Sequence, residues 1–472
     1  MSRSVHSFET YVPRIIDGEL DRLFGALPAV LLDGPKGVGK TATAARRCVT
    51  VRRLDETAVA QVVGADPSIV GRDPMPVLLD EWHRVPTVWD AVRRLVDDRP
   101  DAARILLTGS APLVGTHSGA GRITTLRLRP LCFAERLATD TTVSIGSLMR
   151  REQPVIGGRS DVGLSDYVDE IIESGFPAIR KLPERARTTA LDGYLERIVD
   201  HDLREAGFAA RRPAAMRAWL RAYAAATATT ASWEQIRDSA TAGVDTKPAK
   251  TTTAVYGELL TQMHILDPLD AWLPGRNHFT RLAASPKHHL ADPALAVRLL
   301  KRTKTHLLRG DQNGLTRRGD GTLLGNLFES LAALTVRTAA QAAGAHAAHL
   351  RTRNGDHEID FILEGDEGIV ALEVKLSSSV EDRDVRHLHW LRERLGGDLI
   401  DAAVITTGSE AYRRSDGIAV VPLALLGAWG VAWPARASLR RGLRCVGGLR
   451  CGEALRYVRR HRRRRAWCGR EH

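Results

Sequence analysis

The sequence predicts an α/β protein: a parallel sheet with helices on both faces, then a helical middle region, then a second α/β domain. Apolar strands alternate with helical segments through the N-terminal third, where a Gly-rich turn joins a strand to a helix. Helical patterns dominate the middle third. Two apolar segments joined by a Gly-containing turn follow at residues 357–379 and indicate paired strands.

Length and composition agree with a folded chain of several domains. The 472 residues exceed what one core usually holds, and about three domains are expected. Hydrophobic residues make up 43% and charged residues 26%, which are ordinary globular values. The five cysteines lack CxxC or zinc-ligand spacing, so neither a disulfide framework nor structural zinc is predicted. The N-terminus lacks the apolar core of a signal peptide, and a cytoplasmic location is expected.

The formal charge of +12 is concentrated at one end of the chain. Residues 435–472 contain thirteen Arg and two Glu, a net charge of +11 that leaves about +1 for the other 434 residues. The body is therefore nearly neutral, and its charge alone does not indicate nucleic-acid binding. The Arg-rich tail is predicted to be disordered. It is either a polyelectrolyte that binds nucleic acid without sequence preference or an extension without function.

A phosphate-binding turn is predicted in the stretch AVLLDGPKGVGKTATAARR, which begins at Ala29. It matches G-x-x-x-x-G-K-[ST], whose glycines let backbone N–H groups surround a β-phosphate at the start of a helix. The lysine of this motif contacts the β- and γ-phosphates, and the hydroxyl residue ligates Mg²⁺. The predicted nucleotide-binding residues are Gly34, Pro35, Lys36, Gly37, Val38, Gly39, Lys40 and Thr41.

Two later strands are expected to bring polar residues to the same edge of the sheet. In the stretch MPVLLDEWHRVP, Asp80 and Glu81 directly follow an apolar run. Asp80 is predicted to hold Mg²⁺, and Glu81 is predicted to polarise the attacking water. The strand in ARILLTGSAP ends with Thr108 and Ser110, which either sense the γ-phosphate or cap a turn. Arg122 is either an arginine acting near the γ-phosphate or a solvated surface residue. These residues predict an ATP-binding and ATP-hydrolysing domain over residues 1–140.

The middle of the chain is predicted to be a connector, residues 141–205, followed by a helical and winged-helix-like region, residues 206–305. The order helix, turn, helix and extended segment is that of a winged helix, a module that often binds DNA through its second helix. That helix, expected from Thr252 to Met263, contains Glu258 and neither Lys nor Arg. A scaffold or protein-contact role is therefore at least as well supported as DNA reading.

The C-terminal stretch HEIDFILEGDEGIVALEVKLSSS reads as two strands joined by a tight turn. Residues two apart on a strand share a face, so Glu373 and Lys375 project together while Leu372 and Val374 enter the core. Asp360 precedes Glu373 by thirteen positions, which allows a strand end, a turn and a return strand. On this spacing alone, a plain hairpin with solvated charges is equally well supported.

A helix over residues 325–340 precedes these strands and carries Glu329 apart from its apolar stripe. Nucleases of the PD-(D/E)XK type combine such a helix with Asp and Glu-x-Lys on paired strands. Glu329, Asp360 and Glu373 would then bind Mg²⁺ or Mn²⁺, and Lys375 would activate the attacking water. Residues 306–434 are accordingly predicted to form a nuclease-like domain, with Asp360, Glu373 and Lys375 as catalytic candidates beside Glu81 of the first domain.

The chain resembles AAA-type P-loop ATPases of bacteria and archaea that carry a restriction-endonuclease-like C-terminal half. The resemblance rests on YVPRIIDGELDRLF, LLDGPKGVGKT, VLLDEWHRVP, ILLTGSAP and RPLCFAE, and continues through ESGFPAIRK, YLERIVDHDL, KTTTAVYGELLTQMHIL and HHLADPALA. It covers roughly residues 10–425 and implies ATP binding and a link to DNA, without naming a substrate. ATP and Mg²⁺ are thus the expected ligands, and DNA and a second copy of the chain are candidate partners.

One uncharged segment of 19 residues, Gly417 to Ala435, has the length of a membrane span and is followed by arginines. Its Pro422, Gly427 and Gly430, and its modest hydrophobicity, favour a buried strand and short helix that close a domain. No membrane partner is expected. The leading hypothesis is an ATPase whose nucleotide state controls a DNA-directed, metal-dependent C-terminal domain. The alternative is a nucleotide-switched interaction protein whose C-terminal domain does not cut.

Overall fold

The computed structural model of the chain describes residues 11–109, 119–137, 141–205, 213–240, 250–272, 285–309 and 323–428. Ser110, the end of the uncharged segment at residues 429–435 and the Arg-rich tail at 435–472 lie outside the described residues.

A five-stranded sheet forms the core of the N-terminal domain. Its strands are β1 (Ala29–Asp33), β2 (Thr50–Arg53), β3 (Val77–Asp80), β4 (Ile105–Gly109) and β5 (Thr124–Arg127). All neighbours are parallel, in the order β2-β3-β4-β1-β5. The predicted parallel sheet is therefore confirmed. Because all five strands are parallel, the carboxyl ends of β1, β3 and β4 lie at the same edge of the sheet.

Helices cover both faces of this sheet, as predicted. They are α1 (Ile16–Ala26), α2 (Lys40–Ala45), α3 (Thr57–Ala65) and α4 (Thr87–Asp98). Alternate residues of β1 enter different cores: Val30 and Leu32 pack in the core that includes α1 and α2, and Leu31 packs in the core that includes α3 and α4. The period of two along a strand thus explains why the apolar runs of β1, β3 and β4 are continuous.

The region predicted as a connector is helical and packed. It contains β6 (Val143–Ser144), α6 (Ile145–Leu148), α7 (Leu164–Glu173), α8 (Pro177–Arg180), α9 (Glu184–Arg197) and α10 (Leu203–Glu205), and it follows α5 (Phe133–Arg136). Tyr167 of α7 has its ring centroid 5.1 Å from that of Phe133 and 5.2 Å from that of Phe328. One hydrophobic core therefore runs from the N-terminal five-stranded sheet through this region into the C-terminal domain.

The middle region contains α11 (Pro213–Ala225), α12 (Trp233–Ala240), α13 (Lys250–Gln262) and the short β7 (Ala271–Trp272). After α13 two extended segments pair antiparallel, with Leu266 opposite Leu290 and Leu269 opposite Lys287. The predicted helix at Thr252–Met263 corresponds to α13. The order of helices and extended segments agrees with the expected one, and the winged-helix fold itself stays a prediction.

A mixed sheet of seven strands forms the C-terminal domain. After α14 (Pro293–Leu299), α15 (Lys304–Arg309) and α16 (Leu323–Ala342) come β8 (His346–Arg351), β9 (Glu358–Gly365), β10 (Gly368–Val374), α17 (Asp382–Leu395), β11 (Leu399–Thr406), β12 (Tyr412–Arg413), β13 (Ala419–Pro422) and β14 (Leu426–Gly427). The sheet order is β12-β13-β11-β10-β9-β8-β7. Strands β9 and β10 are the predicted antiparallel pair. The restriction-endonuclease-like fold of this domain stays a prediction.

Two pairings cross the predicted domain boundaries. Strand β7, which belongs to the middle region, pairs with β8, and β6 of the connector pairs with β14. These strands are two residues long, so no periodic pattern marks them in the sequence.

The uncharged segment after Gly417 forms β13, a 3-10 turn at Leu423–Leu425 and β14, all buried. This agrees with the predicted buried strand and short helical turn. Among the residues that the structure describes, no helix is long and apolar enough to cross a membrane.

Candidate functional site

The turn after β1 has the geometry of a phosphate-binding loop. Gly37 and Gly39 have φ angles of +80° and +96°, which glycine adopts without the steric cost of a side chain. At Gly34 a Cβ atom would lie 2.1 Å from the carbonyl oxygen of Leu128, so only glycine fits there. The backbone N–H groups of such a turn, at the start of α2, are suited to binding phosphate.

Lys40 lies across this turn and is buried. Its Nζ donates hydrogen bonds to the carbonyl oxygens of Gly34 at 2.8 Å and Pro35 at 2.9 Å. Burial lowers the pKa of Lys40 to about 8, and the nearby carboxylates of Glu81 and Asp33 act in the opposite direction. The ammonium is thus already inside the loop, where a phosphate could replace the two carbonyl oxygens as its partner.

Three predicted residues meet at the end of β3. The hydroxyl of Thr41 donates to Oδ1 of Asp80 at 2.8 Å, and the hydroxyl of Thr108 donates to the same oxygen. Asp80 is buried at the carboxyl edge of the sheet, beside the phosphate-binding turn. Hydroxyl and carboxylate oxygens are the ligands that Mg²⁺ prefers. The residues present therefore fit a magnesium ion held by Thr41 and Asp80.

Glu81 leaves the strand in a strained conformation. Its φ of 54° and ψ of 45° place it in the left-handed region, which a residue with a side chain occupies at a cost of about 1–3 kcal/mol. The next residue, Trp82, is buried with its ring centroid 4.7 Å from that of Trp89. Burial raises the pKa of Glu81, and Lys40 partly opposes this effect. Glu81 follows Asp80 at the carboxyl edge of the sheet, and its water-polarising role stays a prediction.

Contacts that the sequence did not indicate also hold the loop. Buried Arg14 donates from Nη1 to the carbonyl oxygen of Val38 at 2.9 Å and pairs through Nε with Glu135 at 3.2 Å. The hydroxyl of Tyr194 donates to the carbonyl oxygen of Lys36 at 3.2 Å. Arg14 lies in YVPRII and Tyr194 in α9, so the only sequence signal for either was the family resemblance.

A segment of the middle region connects this loop with the C-terminal domain. We call residues 264–272, which follow α13 and end in β7, the bridging segment. At its start, Nε2 of His264 lies 2.6 Å from Oδ2 of Asp33, the residue directly before the loop. At its end, β7 pairs with β8 of the C-terminal sheet.

Asp267, in the centre of the bridging segment, is surrounded by arginines from two domains. Its carboxylate lies 2.8 Å from Nε of Arg129, 3.0 Å from Nη2 of Arg337 and 3.7 Å from Nη2 of Arg127. Burial acts to raise the pKa of Asp267, but Arg129 and Arg337 hold it well below its usual range. The bridging segment is thereby joined to β5, at the edge of the N-terminal sheet, and to α16.

Two of the predicted acidic residues of the C-terminal domain, Glu329 and Asp360, meet at a lysine together with Glu358, which was not predicted. Nζ of Lys287 lies 2.9 Å from Oε1 of Glu329, 2.8 Å from Oδ1 of Asp360 and 3.4 Å from Oε1 of Glu358. Lys287 is fully buried. We call these four residues the acidic cluster. Lys287 lies outside the Asp, Glu-x-Lys pattern, and sequence reasoning missed it.

Glu373 and Lys375, the Glu-x-Lys pair that the sequence predicted, lie beside the acidic cluster. Nζ of Lys375 is 2.6 Å from Oε1 of Glu373, while Leu372 and Val374 are buried in the core, as strand alternation predicts. The second carboxylate oxygen of Asp360 accepts a hydrogen bond from the backbone N–H of Val374 at 2.8 Å. Within the described part of the chain, Oε2 of Glu373 is buried without a hydrogen-bond partner.

Burial dominates the electrostatics of these groups. It raises the pKa of Glu329 and of Glu373 to about 8, and the charge of Asp360 adds to the effect on both. Burial alone would lower the pKa of Lys287, but Asp360 and then Glu329 raise it well above its usual value. Lys287 and Lys375 in turn hold the pKa of Asp360 below its usual value against the effect of burial.

The acidic cluster does not fit a divalent metal as it is arranged. Within the described ranges no group of three or more His, Cys, Asp or Glu side chains has a metal-binding arrangement. The physical reason is that an ammonium stands between Glu329 and Asp360, and the other oxygen of Asp360 is engaged by the backbone. The predicted set Glu329, Asp360 and Glu373 is therefore close in space but not presented as metal ligands.

The remaining predicted residue of the first domain, Arg122, is half-buried. Its Nε lies 2.7 Å from Oδ1 of Asp97, at the end of α4. This ion pair agrees with the interpretation of Arg122 as a solvated surface residue. A role of Arg122 near the γ-phosphate stays a prediction.

Comparison with known families divides the chain into three parts. Residues 27–137 match the profile of an AAA domain, residues 164–306 match a domain of unknown function (DUF8612), and residues 324–426 match another domain of unknown function (DUF4143). The AAA match covers β1 through α5 and includes the phosphate-binding turn, Asp80, Glu81 and Thr108.

Two curated relatives are the uncharacterized proteins Rv2008c of Mycobacterium tuberculosis and Mb2031c of Mycobacterium bovis. Each is 28% identical over 295 residues, which is 60% of this chain and 58% of the relative.

Among solved structures, a Walker-type ATPase of Pyrococcus abyssi has a TM-score of 0.36 at 16% identity. The match covers 62% of this chain and 96% of the Pyrococcus chain. The ORC2 protein of Aeropyrum pernix has a TM-score of 0.26 at 16% identity, covering 63% and 96%. The profile match identifies residues 27–137 of this chain as an AAA domain.

Proposed function

We propose that the chain binds and hydrolyses ATP, and that its nucleotide state controls a C-terminal domain that serves as a non-cutting binding platform. The observation that carries the proposal is the bridging segment. It contacts the residue before the phosphate-binding turn at His264 and joins the C-terminal sheet at β7. A change at the loop therefore has a direct physical route to the C-terminal domain.

In the proposed hydrolysis each residue near the loop has a separate task. Lys40 transfers its hydrogen bonds from the two loop carbonyls to the β- and γ-phosphates. Glu81 orients and polarises the attacking water, and Thr108 senses the γ-phosphate through its bond to Asp80. Mg²⁺, when held by Thr41 and Asp80, neutralises part of the phosphate charge.

The control step is proposed to begin at Asp33. This residue accepts a hydrogen bond from the backbone N–H of Gly34 at 2.8 Å and also contacts His264. Closing of the loop around phosphate changes the position of Gly34 and hence the Asp33–His264 contact. The bridging segment transmits the change because Asp267 is held between arginines of both domains. A network with two arrangements is the physical requirement for such coupling.

Catalytic variants test the ATPase half. Lys40→Ala should lower the rate of ATP hydrolysis by the full chain about a hundredfold or more, because a buried cation at the phosphates is lost. Arg94→Ala is the matched control, since Arg94 is an exposed cation of the same domain on α4. Hydrolysis by Lys40→Ala at the wild-type rate would contradict the proposal.

DNA is the proposed partner of the platform, on the strength of the family resemblance and the Arg-rich tail. Thirteen arginines in residues 435–472 would bind phosphates without sequence preference and with strong salt dependence. Truncation before residue 435 should weaken DNA binding and flatten its salt dependence. If the truncated chain binds DNA as the full chain does, the tail is an extension without this function.

A second candidate is metal-dependent cleavage of nucleic acid by the C-terminal domain. It is favoured by Oε2 of Glu373, a buried oxygen that has no hydrogen-bond partner among the residues that the structure describes, next to the Lys375 ammonium. The test is incubation of DNA and RNA with Mg²⁺ or Mn²⁺, each with and without ATP, using wild type and the Asp360→Ala and Lys375→Ala variants. Cleavage that both substitutions abolish would replace the non-cutting proposal, and its absence under every condition supports it.

A further inference from the structure

The acidic cluster contains its own cation. The Lys287 ammonium has three N–H donors, and carboxylate oxygens of Asp360, Glu329 and Glu358 lie 2.8, 2.9 and 3.4 Å from it. The lysine is fully buried, and its side chain is 1% exposed. Water therefore solvates little of this charge, and the carboxylates are its partners.

The backbone around Lys287 is also fixed. Its N–H donates to the carbonyl oxygen of Leu269 at 2.8 Å, and the N–H of Leu269 donates to the carbonyl oxygen of Lys287 at 2.9 Å. This reciprocal pair anchors Lys287 to the bridging segment. The side chain consequently enters the acidic cluster from a segment that is itself held in place.

Both oxygens of Asp360 already accept a hydrogen bond. Lys287 donates to Oδ1, and the backbone N–H of Val374 donates to Oδ2. A divalent ion at this carboxylate would share an oxygen with one of these two donors. It would also bring two positive charges next to a buried ammonium, where repulsion is weakly screened.

We infer that Lys287 is the permanent cation of the acidic cluster, standing where a divalent metal would bind, so that the C-terminal domain takes up no divalent ion at Glu329 and Asp360. This inference adds to the proposed function of a non-cutting platform, and its functional meaning rests on that proposal. It assigns Lys287 a positioning role, because the ammonium holds β9, through Glu358 and Asp360, and α16, through Glu329, around one charge. Removing this charge without shortening the side chain should open the carboxylates to a metal.

Titration of the full chain with Mn²⁺ tests the inference, with free Mn²⁺ followed by electron paramagnetic resonance in the absence of nucleotide. Wild type and Asp360→Asn should give the same curve, because no ion binds the acidic cluster. Lys287→Met should gain a single bound Mn²⁺ ion per chain, and the Lys287→Met/Asp360→Asn double variant should lose it. Loss of that ion assigns it to this cluster and not to the ATPase domain.

Two outcomes would overturn the inference. One is a wild-type chain that binds a Mn²⁺ ion which Asp360→Asn removes. The other is a folded Lys287→Met chain, judged by circular dichroism, that binds no more Mn²⁺ than wild type. If Lys287→Met does not fold, Lys287→Gln replaces it, and the wild-type comparison with Asp360→Asn and Glu329→Gln still decides whether a metal is bound.

The readout separates this inference from the proposed function. The titration contains neither ATP nor nucleic acid, so a chain that fails to hydrolyse ATP leaves its result unchanged. Cleavage of DNA without Mn²⁺ binding at the acidic cluster would contradict the non-cutting platform and leave the role of Lys287 intact.

Discussion

Nε2 of His264 lies 2.6 Å from Oδ2 of Asp33, although the two residues are 231 positions apart in the chain. Asp33 ends β1 and His264 follows α13 with a φ of 61°. Burial raises the pKa of Asp33, and Arg127 partly opposes the effect. The contact joins the residue before the phosphate-binding turn to the start of the bridging segment, which is the first link of the proposed control.

Replacing His264 should uncouple this link. In wild type, adding a non-hydrolysable ATP analogue should change amide hydrogen exchange in residues 264–272, because loop closure alters the Asp33–His264 contact. In His264→Ala the analogue should still bind but leave exchange in these residues unchanged. His306→Ala, an exposed histidine of α15, is the control and should respond as wild type. An unchanged response in His264→Ala would remove His264 from the route.

Glu81→Gln should separate ATP binding from hydrolysis. The amide keeps the shape of the side chain but cannot accept a proton from water, so turnover should fall about a hundredfold. Binding of a fluorescent ATP analogue should stay within about twofold of wild type, since Lys40 and the loop are untouched. Asp98→Asn, an exposed acid of the same domain, is the control. Equal losses of binding and turnover would argue against the assigned role.

Asp267→Asn should destabilise the chain strongly. The substitution removes the charge that faces Arg127, Arg129 and Arg337, and breaking a buried ion pair on one side costs about 3–5 kcal/mol. The measurement is the shift of the urea unfolding midpoint.

The matched control for Asp267 is Asp200→Asn, whose pair with Arg217 is exposed on both sides. Its cost should be at most about 1 kcal/mol, because solvent screens an exposed pair. If the two variants had similar urea unfolding midpoints, the charge of Asp267 would contribute no more to the stability of the chain than an exposed ion pair does.

Stability should fall as the pH is lowered from about 6.5 towards 4, in part through His349. Burial lowers the pKa of this imidazole to about 4, with Lys287 contributing. A group whose pKa is lower in the folded chain stabilises it above the unfolded pKa, and this contribution is lost as the pH falls towards the folded value. At pH 5 the loss from His349 should be about 2 kcal/mol.

The measurement is chemical unfolding at pH 7.5 and pH 5 for wild type and His349→Gln. The glutamine amide can still donate to the carbonyl oxygen of Ser285, which accepts the hydrogen bond from Nε2 of His349 at 3.1 Å. The difference in stability between the two pH values should shrink in the variant. A pH dependence identical to wild type would assign the acid sensitivity to other groups, such as buried His289.

Local patterns predicted much of the fold and part of the site. The P-loop motif placed Lys40 and Thr41, and the apolar run before Asp80 and Glu81 placed them at a strand end beside it, because the ends of parallel strands meet at one edge. The helix expected at residues 325–340 is α16, Leu323–Ala342. These features depend on spacing over a few residues, which a single sequence displays.

Other features needed the tertiary structure. Lys287 reaches Asp360 across 73 positions, and His264 reaches Asp33 from the far side of α13. Both belong to extended segments without a helical or strand period of their own, so nothing in the local pattern distinguishes them from surface residues. The pairing of β7 with β8 also moved a strand across the expected domain boundary.

A local period or motif is therefore enough to predict the AAA-type domain, the phosphate-binding turn and the face shared by Glu373 and Lys375. The position of Lys287, a lysine of the middle region, among Glu329, Asp360 and Glu358 follows instead from the packing of distant segments. The physical reason is that a cation stabilises a buried carboxylate. Which cation lies close enough depends on how distant segments pack together.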